Sequence, residues 1–342
     1  MKTLKYILLA LVVALNSCSN DKETTDNEKT VNDIHMCGYE RIGDYNVAKY
    51  WKNGESVSLT DGTNDGEAVA ITGTGDDIYV AGYETNNRGE RIIKYWKNGE
   101  ATSITDGQRH AWAYAIAVAG SNVYVAGYEY NDKNQLIAKY WKNGVAVALT
   151  SGVKFAEATA IAVSGDDVYV AGHEYNELGY RVLKYWKNGE AVSVTDGTHH
   201  ARAAAITVLN NDVYIAGYVE NDNGYDAKYW KNGVAIPLIG GSWASAITIA
   251  GNNVYTAGVE YKDSDSYVAK YWKNGVGVSL TNGKTYVEAT ALAVTGKDIY
   301  VAGYEKNDKG YTVAKYWKNG VARVLGSGSN YSGVTGIFIS NE

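Results

Sequence analysis

Residues 157–197 read EATAIAVSGDDVYVAGHEYNELGYRVLKYWKNGEAVSVTDG, and this stretch decides the fold. It divides into four runs of strand length, ATAIAV, VYVAG, VLKYW and AVSVT, which we call strands A, B, C and D. Turn residues separate them, with Gly165-Asp166-Asp167 between A and B and Asn188-Gly189 between C and D. Asn-Gly is well suited to a two-residue type I′ hairpin. The stretch therefore predicts one four-stranded antiparallel sheet.

The same unit recurs seven times, each copy marked by the string YWKNG. The tryptophans of these strings are Trp51, Trp96, Trp141, Trp186, Trp230, Trp272 and Trp317, spaced by 42 to 45 residues. One such sheet cannot bury both of its faces, whereas sheets placed radially bury each against its neighbours. Four-stranded units of this length are typical of β-propellers, and seven lies within their usual number of blades. We therefore predict an all-β, seven-bladed β-propeller over residues 31–342.

The two ends of the repeat region complement each other. The first recognisable strand, 33–40, aligns with strand B, and the last, 334–339, aligns with strand A. The first blade therefore lacks its own A strand. We expect the C-terminal strand to pair beside residues 33–40 and to close the ring, so that no long inner edge is left open to aggregation.

Composition and charge agree with an all-β protein and disfavour some partners. The chain has 30 Tyr and nine Trp but one Pro, a bias toward aromatic strand formers. The formal net charge is −6, and loss of Lys2 and Lys5 with a leader would make it −8, so nucleic acid is not an expected partner. Cys18 and Cys37 are not expected to pair, and Cys37 replaces a strand alanine, which predicts an inert buried thiol.

The N-terminus predicts a secreted, lipid-anchored protein. Residues 1–17 have a short basic start and an apolar run at 7–15 that is too short to span a bilayer, which predicts a signal peptide. Leu15-Asn16-Ser17-Cys18 resembles a bacterial lipobox, which implies acylation of Cys18. Residues 18–30 are polar and predict a flexible tether. The alternative is an ordinary secretory leader with an incidental cysteine.

The repeat also resembles a known group of proteins. Across nearly the whole mature chain, the YWKNG units resemble β-propeller lipoproteins of the Bacteroidetes. The acidic stretch after Cys18 is similar to the surface-export signals of Bacteroidetes lipoproteins. The resemblance implies a propeller in the cell envelope, an outer-membrane lipoprotein exposed at the cell surface, and it implies no particular activity. The membrane would then be contacted only through the N-terminal anchor.

Residues repeated in every unit are interpreted mainly as scaffold. The adjacent Tyr and Trp of strand C point to opposite faces of a blade, and both faces are covered in a propeller, which predicts core positions. The Lys residues beside them are expected to be solvated or snorkelling. The Tyr-Glu pairs after strand B either line a binding rim or satisfy a local hydrogen bond. The loop 307–310 predicts a turn with a left-handed glycine, with a calcium loop as the alternative.

The candidate site lies where the repeat stops repeating, in the segments from D to A. Four residues before the strand-A Ile or Leu stand Glu67, Trp112, Glu157, Arg202, Trp243, Glu288 and Gly333. Two residues earlier stand Asp65, His110, Phe155, His200, Gly241, Tyr286 and Tyr331. Alternate residues of a strand share a face, so these positions predict two stacked rings at one mouth of the channel. Arg109 and His199 could extend the rim.

The content of these rings favours a binding module without a cofactor or metal. Aromatic, acidic, arginine and histidine side chains around a funnel suit a glycan or a peptide, and an envelope protein is the partner if the protein is instead a surface scaffold. We expect a monomer. Two alternatives stay open: drift of unconstrained loops, and glycoside cleavage by Glu157 or Glu67 with help from Arg202 and Tyr286. Metal chemistry is disfavoured because the adjacent His199 and His200 would face opposite ways in a strand.

Overall fold

The computed structural model describes residues 32–263 and 266–340, which form 28 β-strands. Within these ranges no helix is long and apolar enough to cross a membrane. The predicted signal peptide at 1–17, the lipidation site Cys18 and the tether at 18–30 lie outside the described residues.

The strands have the following bounds. The A strands are β4 (Gly66–Thr74), β8 (Ala111–Ala119), β12 (Ala156–Ser164), β16 (Ala201–Leu209), β20 (Trp243–Ala250), β24 (Val287–Thr295) and β28 (Ser332–Ser340). The B strands are β1 (Asp33–Ile42), β5 (Asp77–Thr85), β9 (Asn122–Tyr130), β13 (Asp167–Tyr175), β17 (Asp212–Asn221), β21 (Asn253–Asp263) and β25 (Asp298–Lys306). The C strands are β2 (Tyr45–Lys52), β6 (Arg91–Lys97), β10 (Leu136–Lys142), β14 (Arg181–Lys187), β18 (Gly224–Lys231), β22 (Ser266–Lys273) and β26 (Thr312–Lys318). The D strands are β3 (Glu55–Ser58), β7 (Glu100–Ser103), β11 (Val145–Ala148), β15 (Glu190–Ser193), β19 (Val234–Pro237), β23 (Val276–Ser279) and β27 (Val321–Val324).

These strands form seven separate antiparallel sheets, each ordered A, B, C, D. Each A strand contacts the A strands of both neighbouring sheets, and the cycle from β4 through β28 returns to β4. The A strands therefore surround a central axis. The fold is a seven-bladed β-propeller, as the repeat predicts.

The C-terminal strand completes the first blade. β28 pairs with β1 in antiparallel register, with Ile339 opposite Ile34 and Gly333 opposite Tyr39. The first blade thus has the order β28, β1, β2, β3. The predicted closure of the ring is confirmed.

Each junction between neighbouring blades contains one hydrophobic cluster with one buried tryptophan. At the junction of blades three and four, Trp186 packs with Tyr124 and Tyr140 of the preceding blade. At the closing junction, Trp51 and Met36 of blade one pack against Ala302 of blade seven. The seven tryptophans are 0–3% exposed, and burial of each supplies a gross transfer term of about 5 kcal/mol. The core assignment of these tryptophans is confirmed.

The hairpin from C to D is a type I′ turn in every blade. In blade four Asn188 and Gly189 have φ values of 50° and 88°, the positive angles that this turn requires. The Asn188 side chain accepts a hydrogen bond from the backbone N–H of Val168 at 2.9 Å and donates one to Asp167 at 2.7 Å. The asparagine thus supplies both the backbone angle and a tie to strand B.

A β-bulge interrupts every A–B pairing and explains the invariant glycine of strand B. In blade four the register shifts between Ala158 and Ala160, so that Thr159 is the extra residue. A Cβ atom at Gly172 would overlap the carbonyl oxygen of Glu157 on β12. The same overlap with strand A occurs at the other six glycines, Gly38, Gly82, Gly127, Gly217, Gly258 and Gly303. Only glycine admits the close approach of the two backbones at the bulge.

In six blades the lysine before the Tyr-Trp pair forms an ion pair with a glutamate of strand B, which corrects the interpretation of these lysines as solvated. The lysine after the pair is more exposed, as shown by Lys187 at 45%. Lys139 forms an ion pair with Glu129 at 2.6 Å, and Lys184 forms one with Glu174 at 2.6 Å. These lysine side chains are only 16% and 19% exposed. The glutamate of the Tyr-Glu pair therefore makes a local contact between strands B and C, and its tyrosine faces elsewhere.

Candidate functional site

The two predicted rings of residues lie at the ends of the D–A segments. The residues of one ring lie within the A strands, and those of the other lie just before them. In blade two the Tyr83 hydroxyl donates hydrogen bonds to Glu67 Oε2 at 3.1 Å and to Asp65 Oδ2 at 3.3 Å. Both carboxylates therefore lie on the same side of the blade, as the alternation predicts. Burial raises the pKa of Glu67, and the Tyr83 hydrogen bond partly offsets that increase.

In blade three, Trp112 turns toward blade two. Its ring lies 4.9 Å from that of Tyr83, and the Arg91 guanidinium carbon lies 4.3 Å from the centre of the Trp112 ring. Arg91 Nη1 also lies 3.3 Å from Nε2 of His110. Trp112 and His110 thus form one packed group with Arg91, in which the indole carries a cation–π contact.

Between blades four and five, Arg202 Nη2 donates a hydrogen bond to Glu157 Oε2 at 3.3 Å. His173 replaces the tyrosine found at this position in five blades and lies with its Nε2 3.9 Å from the same carboxylate oxygen. Burial, followed by the charges of Arg202 and Arg181, lowers the pKa of His173 to about 3. The histidine is therefore neutral at physiological pH.

Two further predicted residues, Phe155 and His200, lie close to this group of Glu157, His173 and Arg202. The Phe155 ring is 44% exposed and lies 6.2 Å from His173 and 5.5 Å from Tyr175. His200 Nδ1 accepts a hydrogen bond from the backbone N–H of Arg181 at 3.0 Å. His200 therefore has a defined structural role at the rim.

In blade seven the Tyr286 hydroxyl donates a hydrogen bond to Glu288 Oε1 at 2.8 Å. Burial raises the pKa of Glu288. In blade one the equivalent position is Gly333, where a Cβ atom would lie 2.9 Å from side-chain carbons of Tyr39 and Tyr304. These two tyrosines occupy the space that a ring side chain would take, so blade one contributes no ring side chain at this position.

Two predicted aromatic residues remain. The Trp243 ring stacks on Tyr225 with centroids 5.1 Å apart and makes an edge contact with Tyr218 at 5.6 Å. Tyr331 is 44% exposed and lies 5.0 Å from Tyr311 in an edge-to-face contact. Both are therefore held by neighbouring aromatic rings at the mouth of the channel.

A cavity of about 520 Å³ lies on the propeller axis, and we call it the axial cavity. Six of the seven blades contribute to it through the following residues: Tyr114, Thr159, Arg202, Ala203, Ala204, Tyr218, Trp243, Ala244, Ser245, Thr290, Tyr304 and Thr335. Of the predicted ring, Arg202 and Trp243 line this cavity, and the other predicted residues do not.

The residues that the sequence analysis missed come from two sources. Tyr114, Thr159, Thr290 and others occupy the bulge position of strand A, two residues beyond the predicted ring. Continuing the same alternation by two residues would have found them. Tyr218 and Tyr304 are the tyrosines of strand B opposite Arg202 and Glu288. Their side chains line the axial cavity, which supports the rim interpretation of the Tyr304-Glu305 pair in blade seven. Tyr218 is followed by Val219 and so belongs to no Tyr-Glu pair.

The bulge threonines also join neighbouring blades. The Thr159 hydroxyl donates to the carbonyl of Ala203 at 2.8 Å, and Thr290 donates to Val334 at 2.6 Å. Thr335 donates to the carbonyl of Ala68 at 2.7 Å. These hydroxyl protons are occupied by backbone carbonyls, so the hydroxyl oxygens offer the cavity acceptors rather than donors.

Arg202 is the charged donor of the axial cavity. Among the described residues its guanidinium has one hydrogen-bond partner, Glu157, which leaves four of its five N–H groups for other acceptors. Burial, followed by the charge of the same Glu157, raises the pKa of Tyr114. In residues 32–263 and 266–340, no group of three or more His, Cys, Asp and Glu side chains could hold a metal ion.

Comparisons with known proteins bear on the fold. No family model and no curated protein matches the chain. A puromycin-hydrolysing peptidase of Mycobacterium tuberculosis is 11% identical, with a TM-score of 0.58 over 85% of this chain and 53% of that one. A puromycin hydrolase gives 11% and 0.51 over 85% and 53%, and the acylaminoacyl peptidase of Pyrococcus horikoshii gives 12% and 0.51 over 85% and 52%. The chain spans about half the length of these proteins, and the likeness shows the shared fold alone.

Proposed function

We propose that this protein is a non-enzymatic binding module of the cell envelope that takes a glycan or a peptide in the axial cavity. The observation that carries the proposal is the joint presence of Arg202 and Trp243 in one concave site of ligand size. The indole offers an apolar face, and the guanidinium offers donors to a hydroxyl, carbonyl or carboxylate oxygen. Neither group is needed by the ring of tryptophans that holds the blades together.

The ligand is expected to be polar and bulky rather than a small ion. The wall of the axial cavity mixes aromatic rings with threonine and serine oxygens from several blades. Glu157 beside Arg202 compensates its charge, so the site does not depend on a strongly anionic ligand. The hydroxyl groups of a sugar, or the peptide groups of a peptide, can hydrogen-bond to the oxygens of the cavity wall. The CH faces of the sugar, or the apolar side chains of the peptide, can pack on its aromatic rings.

The test compares two tryptophans at equivalent ring positions. Trp243→Ala removes the indole that lines the axial cavity, and we expect at least a tenfold loss of binding on an array of oligosaccharides and peptides, the equivalent of about 1.4 kcal/mol. Trp112→Ala is the matched control because Trp112 packs on Tyr83 and Arg91 instead of lining the cavity. Equal loss in both variants, or full binding by Trp243→Ala, would contradict the proposal.

The proposed location depends on Cys18. Acylation of this residue would hold the propeller at the outer membrane, exposed at the cell surface, behind the tether of residues 18–30. Metabolic labelling with palmitate is expected to mark the wild-type protein and to be absent from Cys18→Ser. Labelling that persists in the variant would exclude lipidation at this position.

A second candidate function is glycoside cleavage, favoured by the carboxylates of blade two. Asp65 and Glu67 share the Tyr83 hydroxyl, and the raised pKa of Glu67 suits a general acid. New reducing ends released from an array glycan by the wild type, but not by Glu67→Gln, would establish catalysis. Binding without release of reducing ends supports the binding module.

A further inference from the structure

Three further cavities lie between neighbouring blades, away from the axis. We call them the inter-blade grooves, and they occur at the junctions of blades one and two, four and five, and six and seven. Their volumes are about 320, 390 and 840 Å³ respectively. Pockets of such volumes are typical of ligand sites. None of their lining residues lines the axial cavity.

The three grooves are built from the same six positions of the repeat. The earlier blade contributes an aromatic ring of strand B, the Tyr and the following Lys of strand C, and a valine of strand D. The later blade contributes a residue of the A–B turn and an aliphatic residue of strand B. The first groove has His35, Tyr50, Lys52, Val57, Asp76 and Ile78 at these positions. The second has Tyr169, Tyr185, Lys187, Val192, Asn211 and Val213. The third has Tyr255, Tyr271, Lys273, Val278, Lys297 and Ile299.

The apolar and aromatic wall is constant, whereas the charge of the groove varies. The turn residue is Asp76 in one groove, Asn211 in the second and Lys297 in the third. The strand-C lysines of the first two grooves form ion pairs at 2.7 Å, Lys52 with Asp33 and Lys187 with Asp167. A ligand common to all three grooves is therefore recognised through its apolar faces and uncharged polar groups.

The valine of each groove is an exposed apolar residue of strand D. Val57, Val192 and Val278 are 56%, 40% and 43% exposed at the outer edge strand. Each lies opposite the strand-C tyrosine of its groove, so that ring and methyl groups form one surface. Such a surface, flanked by tyrosine hydroxyls and asparagine or lysine donors, suits a ring with CH faces and hydroxyl groups.

We propose that the inter-blade grooves are repeated binding sites for uncharged sugar units, so that the protein holds a neutral polysaccharide at several points at once. This inference goes beyond the proposed function, because it assigns a second kind of site on other surfaces of the propeller. Several weak sites on one rigid ring raise the apparent affinity for a repeating polymer by about 10²- to 10⁴-fold over one site. The axial cavity contributes a single site and no such gain.

The experiment blocks the grooves at their exposed valines. Affinity electrophoresis of the full-length protein is run in gels that contain dextran, mannan, xyloglucan or galactomannan, with alginate as an anionic polymer. The triple variant Val57→Arg, Val192→Arg and Val278→Arg is expected to lose at least about 100-fold of the apparent affinity for the neutral polymer that retards the wild type. Blade seven carries Arg323 at the same position, so arginine is compatible with the edge strand.

The matched control makes the same chemical change on three other edge strands. Val145→Arg, Val234→Arg and Val321→Arg add equal charge at positions that are 63–70% exposed and line none of the three grooves. This control variant is expected to keep the retardation by the neutral polymer. The inference is overturned if no neutral polymer retards the wild type, if alginate alone does so, or if both triple variants lose retardation equally. Loss in Trp243→Ala with none in the groove variant would support the axial cavity and refute the grooves.

Discussion

Gly172→Ala is expected to abolish the folded state of blade four. The added Cβ atom would overlap the carbonyl oxygen of Glu157 and approach the Cα atom of Ala158, which are backbone atoms of the paired strand and cannot rotate away. Strands β12 and β13 would have to separate at the bulge. We expect a destabilisation of at least about 4 kcal/mol, in the exceptional range for one substitution, measured by urea unfolding or as loss of soluble protein.

A matched glycine separates the steric effect from backbone strain. Gly179 has a φ of +81°, and no heavy atom lies within 4 Å of the position that a Cβ atom would take. Gly179→Ala therefore introduces backbone strain but no steric overlap. Its expected cost is about 1–2 kcal/mol. If Gly172→Ala is no less stable than Gly179→Ala, the close approach at the bulge does not explain the invariant glycine.

His173→Tyr is expected to make the protein more resistant to acid. His173 is 2% exposed, and its folded-state pKa of about 3 lies well below the ordinary value of 6.5. As the pH falls below 6.5, this histidine becomes protonated in the unfolded chain but stays neutral in the native protein. The free energy of unfolding therefore decreases until the pH reaches about 3. The difference corresponds to about 1.4 kcal/mol per pH unit, hence about 2 kcal/mol at pH 5.

The variant removes this group and restores the tyrosine of five other blades. Urea unfolding at pH 7.5 and pH 5 is expected to give a smaller loss of stability for His173→Tyr than for the wild type. The measurement at pH 7.5 is the control, because the wild-type histidine is neutral there in both states. Equal losses of stability in the two proteins would show that His173 does not carry the acid sensitivity.

The architecture follows from the sequence because every level of the repeat agrees. The spacing of the YWKNG strings predicts seven blades, the Asn-Gly turns predict a hairpin in each, and the offset between the two termini predicts closure of the ring. One tryptophan per junction supplies the packing between blades. The lysines before Tyr-Trp were interpreted wrongly as solvated, whereas those after it are partly exposed, as Lys187 shows. Sequence alternation does not show that Glu174 on the neighbouring strand comes within an ion-pair distance of Lys184.

The candidate site was predictable only in part. Alternation placed Asp65 and Glu67 on one side of blade two, and the structure agrees. It did not indicate that Trp243 lines the axial cavity and Trp112 does not, since both indoles pack on aromatic rings of the preceding blade. Tyr114 and the cavity threonines stand two residues further along the same alternation, beyond the two predicted rings.

The most direct test of the central claim is a crystal structure of the protein with its strongest array ligand. The account predicts ligand density in the axial cavity, with an acceptor atom within hydrogen-bond distance of the Arg202 guanidinium and an apolar face against the Trp243 indole. An axial cavity without ligand density, with the ligand bound elsewhere on the propeller, would contradict it.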